Sequence, residues 1–205
     1  MLNRYARAFV TRLVTPVAAG LLRAGISPDA VTVVGTLGVT VGALILYPRG
    51  ELFTGTLVIT AFVLGDFLDG TMARLQNRSS AWGAFLDSTL DRVADAAVFG
   101  GLVLWFSGAG DSAVTANLAL LCLVLGSLVP YARARAEGLG MTASGGLAER
   151  ADRLVAVLVA TGLVGLGLPT GLLTVVLALL AVASAWTVVQ RVLAVRRQAL
   201  GASRP

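Results

Sequence analysis

The stretch TLVITAFVLGDFLDG, residues 56–70, begins as an apolar run suited to a lipid bilayer and ends with two aspartates. A charged side chain at the centre of a membrane helix costs roughly 2.5–3.5 kcal/mol on insertion scales. Three residues advance a helix by about 300°, so Asp66 and Asp69 lie about 60° apart on one helical face. This stretch therefore predicts a membrane helix that presents two carboxylates on one side of its end.

The composition is that of an integral membrane protein. The chain has 205 residues, of which 57% are hydrophobic and 13% charged, whereas a soluble domain is near half apolar and a quarter charged. A spanning helix needs about 20 apolar residues. Six apolar segments approach that length, at roughly residues 30–47, 53–69, 83–106, 112–134, 152–168 and 171–192. We predict an all-α membrane fold with six transmembrane helices, in a single domain of residues 1–205.

The arginines outside these segments predict the orientation of the chain. They gather at both termini, after the second segment and around the loop between the fourth and fifth, whereas the opposite side holds Arg49. The positive-inside rule then places both termini and the aspartates in the cytoplasm. Residues 1–25 predict an amphipathic helix on the membrane surface, ahead of a bundle at 30–192 and a cytoplasmic tail at 193–205.

A second group of carboxylates follows in GAFLDSTLDRVAD, residues 83–95. Asp87 and Asp91 are four residues apart, which places them within about 40° of each other on a helix. A short loop joins the second and third segments, so we expect antiparallel neighbouring helices whose carboxylates converge. Asp95 lies about 12 Å along the helix from Asp87, and we expect it either to support the metal ligands through hydrogen bonds or to pair with an arginine.

Converging carboxylates need positive charge between them, and a divalent cation supplies it. The chain contains no histidine, and its single cysteine lies in an apolar run. Hard oxygen ligands favour Mg²⁺, Mn²⁺ or Ca²⁺ over zinc. The residues therefore predict a carboxylate metal site that is open to the cytoplasm.

Residues beside the carboxylates suit a ligand that carries phosphate, although each also has a plainer interpretation. Gly70 permits close approach of a ligand or of another helix. Arg74 suits a phosphate or the membrane interface. Ser80 is placed to cap the third helix or to donate to a ligand oxygen, and spacing alone makes Asp29 a helix cap.

The acidic stretch resembles the signature of the CDP-alcohol phosphatidyltransferases at all eight of its fixed positions. These positions are Asp66, Asp69, Gly70, Ala73, Arg74, Gly83, Asp87 and Asp91. Within that family the chain is most similar to actinobacterial phosphatidylinositol phosphate synthases. The segments that carry this closer similarity are SPDAVT (27–32), YARARAE (131–137), ERADR (149–153) and QRV (190–192).

The resemblance implies that CDP-diacylglycerol gives its phosphatidyl group to an alcohol and that CMP leaves. It implies two metal ions, Mg²⁺ or alternatively Mn²⁺, with Asp91 as both a metal ligand and the general base. The implied metal ligands are Asp66, Asp69, Asp87 and Asp91. The implied donor-binding residues are Asp29, Ala30, Val31, Thr32, Gly70, Arg74 and Ser80, so that Asp29 becomes more than a cap. The resemblance also implies a homodimer in a bacterial plasma membrane, with membrane lipids as surroundings and no nucleic-acid partner.

Arginines far from the signature bear on the identity of the alcohol. These are Arg133, Arg135, Arg153 and Arg191. They are either interface arginines without a ligand or a basic pocket for an acceptor phosphate, and the family resemblance favours the pocket. A phosphate-bearing acceptor favours inositol 1-phosphate over free inositol. Glycerol 3-phosphate is also anionic, so phosphatidylglycerophosphate synthesis stays open as the alternative.

Two other classes of protein also have to be considered. A metal-ion transporter uses carboxylates within the membrane, but it would spread them along a path towards both sides. Here they cluster at the cytoplasmic ends of two helices. A non-catalytic scaffold does not explain the cost of keeping them there.

Overall fold

The computed structural model describes residues 14–76, 80–147 and 149–202, and at residues 66, 67 and 202 it describes the backbone alone. Every regular element in these ranges is helical. The helices are α1 (Val14–Arg23), α2 (Pro28–Leu46), α3 (Leu52–Leu75), α4 (Ala81–Ser107), α5 (Ala113–Glu137), α6 (Arg150–Gly165) and α7 (Gly171–Ala202), with a 3₁₀ turn at Tyr47–Arg49. The all-α prediction is confirmed.

Helices α2 to α7 coincide with the six predicted apolar segments, and four of them are long and apolar enough to cross a membrane. These candidate spans are Pro28–Arg49, Leu52–Leu75, Ala113–Glu137 and Gly171–Gly201. The other two differ because α4 contains four charged residues and α6 has 16 residues, fewer than the roughly 20 of a full span. The chain is therefore an all-helical membrane protein with four candidate spans among its described residues.

The structure covers only part of the two predicted terminal segments, residues 1–25 and 193–205. The first half of the predicted surface helix, residues 1–13, lies outside the described residues. Helix α1 covers the second half. At the other end α7 continues to Ala202, well into the stretch that we predicted as a tail.

Side-chain caps set where the helices begin. The Ser27 hydroxyl accepts a hydrogen bond from the Ala30 N–H at 3.2 Å, with Pro28 in the first turn of α2. The Ser80 hydroxyl accepts from the Gly83 N–H at 2.9 Å. Both serines satisfy backbone donors that the first turn of a helix leaves without partners. Spacing had predicted Asp29 as the cap of α2; this was wrong, because Ser27 takes that role.

Among the described residues, helix α2 packs more extensively against α3 and α4 than these two helices pack against each other. The prediction that α3 and α4 are direct neighbours stays a prediction. Small residues explain the arrangement. A Cβ on Gly38 of α2 would come within 2.5 Å of the Phe62 ring of α3, and one on Gly101 of α4 within 2.5 Å of the Ala43 carbonyl oxygen of α2. The glycines thus let α2 lie close to both partners.

The remaining helices complete the bundle: α5 packs on α4 and α7, and α6 packs on α3 and α7. In lipid, helices associate through close packing and interhelical hydrogen bonds rather than through the hydrophobic effect. One such bond joins the hydroxyls of Thr115 on α5 and Thr174 on α7 at 2.7 Å. The packing brings the N-terminal ends of α2, α4 and α6 and the C-terminal half of α3 to one end of the bundle, as the contacts below show.

Candidate active site

Asp69 is held by a residue of α2. The Thr32 hydroxyl donates to Asp69 Oδ2 at 2.6 Å, a length typical of a hydroxyl bond to a carboxylate. The Asp69 side chain is buried. A buried carboxylate with a fixed donor has a fixed orientation, so Thr32 positions a predicted metal ligand. The resemblance had implied that Thr32 binds CDP-diacylglycerol. The structure adds a hydrogen bond from Thr32 to Asp69.

Asp29 and Ser80 meet at the start of α4. The Trp82 Nε1–H donates to Asp29 Oδ2 at 3.1 Å. A Cβ on Gly83 would lie 3.1 Å from the Ser80 hydroxyl oxygen and 3.9 Å from Asp29 Oδ1. The absence of a side chain at Gly83 therefore lets these two side chains, both predicted to bind CDP-diacylglycerol, lie close to its backbone. Ala30 and Val31 lie beside them in the first turn of α2.

Gly70 and Arg74 lie on α3, which runs six residues beyond the predicted end of its apolar segment, to Leu75. A Cβ on Gly70 would meet no atom of the described residues within 4 Å. Among the described residues Gly70 thus packs against no other helix, and the space beside it is open where a ligand was predicted. The exposed Arg74 donates from Nη2 to the Thr71 hydroxyl at 3.0 Å.

The third and fourth predicted metal ligands lie on α4. Asp87 is exposed. Asp91 is half-buried and forms an ion pair with Arg150 Nη1 at 2.7 Å, and it accepts a hydrogen bond from Arg92 Nη2 at 3.4 Å. Two guanidinium groups thus supply positive charge to Asp91 in this structure.

Asp66 lies one turn before Asp69 on α3, and its side chain is outside the described part. Among the side chains that are described, no three histidine, cysteine or carboxylate groups come close enough to hold a metal ion. The four-carboxylate site therefore stays a prediction. The donor set suits it, because an all-oxygen set of carboxylates is what Mg²⁺ and Mn²⁺ prefer.

A cavity of about 20 Å³ lies between α2, α3, α4 and α6. Thr32, Asp91 and Arg150 are among its lining residues. A space of this size holds about one water molecule. The residue that orients Asp69 and the residue proposed as the base therefore face one common space.

Asp95 pairs with two arginines, whereas the sequence had suggested pairing with one. Arg150 Nε donates to Asp95 Oδ1 at 3.1 Å, and Arg153 Nη2 donates to Asp95 Oδ2 at 3.3 Å. Arg150 was missed as a site residue. It lies three positions before Arg153, so a helical reading of ERADR places both on one face, and that signal would have found it.

Arg153 is 1% exposed and also donates from Nη2 to the Gly126 carbonyl oxygen at 3.2 Å. Pro130, inside α5, explains why that oxygen is available. Proline has no N–H and cannot donate to the carbonyl four residues earlier. Gly126 provides the room, because a Cβ there would lie 3.3 Å from Arg153 Nε.

The other predicted acceptor arginines are placed differently. Arg191 is buried and donates to the carbonyl oxygens of Val129 and Gly145. Arg133 and Arg135 are exposed near the end of α5, where Arg133 pairs with Glu137 at 2.8 Å. The structure thus brings two of the four guanidinium groups into the interior and leaves two at the surface.

A larger apolar groove of about 440 Å³ follows α2 and α3. Val34, Leu37 and Phe62 are among its lining residues. Phe62 lines both this groove and the small cavity, so an apolar surface leads away from the polar end of the bundle.

Comparisons with known proteins identify the family of the chain. Residues 25–186 match the family described as CDP-alcohol phosphatidyltransferase. The phosphatidylinositol phosphate synthase of Streptomyces avermitilis is 55% identical over 204 residues, which is 97% of this chain and 84% of that protein. The enzyme of the same name from Cutibacterium acnes is 46% identical over 198 residues, 93% of this chain and 96% of that protein.

Solved structures of similar proteins share the fold. The Mycobacterium tuberculosis phosphatidylinositol phosphate synthase with CDP-DAG bound superposes with a TM-score of 0.86 at 44% identity, covering 90% of this chain and 94% of that chain. The same protein in complex with manganese and citrate gives 0.84 at 43% identity, covering 89% of this chain and 88% of that chain.

Proposed function

The chain belongs to the CDP-alcohol phosphatidyltransferase family and is a transferase, and from that premise we propose that it makes phosphatidylinositol phosphate. It transfers the phosphatidyl group of CDP-diacylglycerol to inositol 1-phosphate and releases CMP. The observation that carries this proposal is the 55% identity, over 97% of the chain, to a phosphatidylinositol phosphate synthase. The name of that relative implies a phosphate-bearing acceptor.

Two divalent cations complete the site in this proposal, Mg²⁺ or alternatively Mn²⁺. A relative in complex with manganese supports divalent-metal dependence. Asp66, Asp69, Asp87 and Asp91 would hold the ions. When bound, divalent ions neutralise phosphate charge and stabilise the attacking and leaving oxygens of a phosphoryl transfer.

Asp91 takes the proton of the acceptor hydroxyl. The hydroxyl oxygen then forms a bond to the phosphorus that carries the diacylglycerol. The bond from that phosphorus to the CMP oxygen breaks, and CMP leaves with the electron pair. A carboxylate is a weak base, but it need only accept the proton as the hydroxyl attacks. The position of Asp91 on the small cavity shared with Thr32 supports this role.

The donor lies against the starts of α2 and α4 and against α3. Asp29, Ser80 and the first turn of α2 hold the cytidine part, supported by the meeting of Asp29 and Ser80 at Gly83. Gly70 and Arg74 receive the phosphates, supported by the open space at Gly70. The apolar groove along α2 and α3 holds an acyl chain, because it shares the Phe62 side chain with the small cavity that Thr32 lines.

The acceptor phosphate binds near the end of α5. Arg153 and Arg191 form the inner wall of this site, and Arg133 and Arg135 lie at its rim. Guanidinium groups suit a phosphate because their planar fork matches its oxygens. Support comes from the two buried guanidinium groups that donate to carbonyl oxygens of α5, at Gly126 and Val129.

We propose the following for the chain as a whole. Helices α2 to α7 all cross the membrane, and the termini and the active site face the cytoplasm, which the positive-inside rule supports. Two copies form a homodimer. In this topology a soluble, charged acceptor reaches the site from the cytoplasm while the donor stays in the bilayer.

The test is CMP release by purified protein with Mg²⁺ or Mn²⁺ and CDP-diacylglycerol. Inositol 1-phosphate, free inositol and glycerol 3-phosphate are compared as acceptors, with an assay lacking acceptor as the control. We expect rapid release with inositol 1-phosphate and little without acceptor. Fast turnover with glycerol 3-phosphate alone would reassign the chain to phosphatidylglycerophosphate synthesis.

A further inference from the structure

Four charged side chains form a continuous ladder between α4 and α6. Arg150 bridges two carboxylates, with Nη1 2.7 Å from Asp91 Oδ1 and Nε 3.1 Å from Asp95 Oδ1. Arg153 continues the ladder from the other oxygen of Asp95, at 3.3 Å. Asp91 and Asp95 are one turn apart on α4, and the arginines are nearly one turn apart on α6. The ladder therefore connects the proposed base to a proposed acceptor arginine.

Asp95 is the centre of this ladder. Its side chain is 9% exposed, against 18% for Asp91 and 26% for Arg150. Each Asp95 oxygen accepts from a different arginine, so the carboxylate fixes both guanidinium groups at once. The same Arg153 nitrogen, Nη2, also donates to the Gly126 carbonyl oxygen of α5 at 3.2 Å.

The burial of this ladder is a poor source of stability. Removing charges from water costs nearly as much as their attraction returns, and well-packed apolar residues often replace buried ion pairs without loss. What apolar side chains do not replace is a defined separation between charged groups. The ladder is therefore better explained by positioning than by folding.

We propose that Asp95 is a positioning residue for the acceptor, and this inference rests on the proposed function. By holding Arg150 against Asp91 and Arg153 against α5, Asp95 sets the distance between the carboxylate that takes the proton and the guanidinium that binds the acceptor phosphate. Asp95 itself touches neither substrate. Its loss disturbs acceptor binding and leaves donor binding unchanged.

Asp95→Asn is the matched substitution, because asparagine has nearly the same shape but one oxygen acceptor and one NH₂ donor. The NH₂ group would face a guanidinium, so one arginine loses its partner. We expect the acceptor KM to rise at least tenfold and the donor KM to stay within twofold. Calorimetry with inositol 1-phosphate should show the same loss in binding, independent of turnover.

The control is Asp111→Asn, in the exposed connection between α4 and α5. Asp111 has a φ of 42°, a conformation that asparagine also tolerates. We expect both KM values to stay as in the wild type.

Arg150→Gln completes a double-mutant cycle with Asp95→Asn. If Asp95 acts through Arg150, the fold-change in acceptor KM caused by Asp95→Asn is smaller when Arg150 is already glutamine. If the fold-changes multiply independently, or if donor and acceptor KM rise together, the positioning role is overturned.

A second variant keeps the test open should Asp95→Asn fail to fold. Arg150→Lys keeps the charge but lacks the planar fork that bridges two carboxylates. We expect a raised acceptor KM, and an unchanged one overturns the inference. A wild-type protein that is inactive with every acceptor would overturn the proposed function and this inference with it. An active wild type with unshifted variants overturns this inference alone.

Discussion

Arg153 donates a hydrogen bond to the Gly126 carbonyl oxygen, 3.2 Å away, on the helix that contains Pro130. The bond depends on a missing donor, since proline has no N–H to offer that carbonyl. A proline that would weaken an isolated helix thus creates a docking point for a buried arginine.

Pro130→Ala introduces a backbone N–H at position 130 of α5. This N–H would compete with Arg153 as the donor to the Gly126 carbonyl oxygen. A typical hydrogen bond contributes about 1 kcal/mol net, which is about fivefold in an equilibrium constant. We expect the acceptor KM to rise about fivefold with the donor KM unchanged, in steady-state CMP release assays. Pro169→Ala, in the connection before α7, is the control. An acceptor KM equal to that of the wild type would show that the carbonyl does not position Arg153.

Arg153→Gln removes one partner of a buried ion pair, which costs about 3–5 kcal/mol in stability. We expect a lower Tm in detergent and an acceptor KM that rises more than the donor KM. Arg49→Gln is the control, because Arg49 is exposed at the far end of α2. A lower Tm without any change in acceptor KM would assign Arg153 to the fold alone.

Asp91→Asn keeps an oxygen that can accept from Arg150 but removes the basic carboxylate. General base catalysis contributes about 10²- to 10⁴-fold, so we expect kcat to fall by roughly that factor. Binding of CDP-diacylglycerol, measured separately, should persist. Full activity in this variant would refute Asp91 as the base.

Thr32→Val removes the hydroxyl that orients Asp69 and leaves the side-chain shape nearly unchanged. Losing such a partner of a metal ligand typically lowers metal affinity about 10- to 100-fold. We expect the Mg²⁺ or Mn²⁺ concentration for half-maximal CMP release to rise within that range. Thr40→Val is the control, because the buried Thr40 hydroxyl has no hydrogen-bond partner among the described residues. An unchanged metal requirement in Thr32→Val would argue against Asp69 as a ligand.

Gly38→Ala tests why α2 lies between α3 and α4. A Cβ on Gly38 would come within 2.5 Å of the Phe62 ring, so the helices must separate or the ring must move. Overpacking of this kind costs about 1–3 kcal/mol, although alanine is intrinsically better than glycine in a helix by about 1 kcal/mol. We expect a lower Tm. Gly20→Ala, where a Cβ meets nothing described within 4 Å, should not lower it.

Much of the site follows from local sequence. The spacing of Asp66, Asp69, Asp87 and Asp91 identifies the family, and a signature of this kind is local enough to be recognised without coordinates. The pairing of Asp95 with arginine was also predictable, because a buried carboxylate beyond reach of the metal needs a cation. Its two partners were not, since the bond from Arg150 to Asp95 joins residues 55 positions apart.

By itself, the sequence determines the helices, the membrane setting and the family, because apolar run length, charge placement and motif spacing are properties of short stretches. Only the tertiary structure decides which helices touch and which side chains meet. Helix α2 packs closely on both α3 and α4 because glycines on α2 and α4 permit contacts that apolar periodicity does not encode. The contacts of Asp29 with Trp82 and of Arg153 with Gly126 also join residues distant in sequence. Such contacts depend on packing volume and on hydrogen-bond acceptors left without a backbone donor, which short stretches of sequence do not specify.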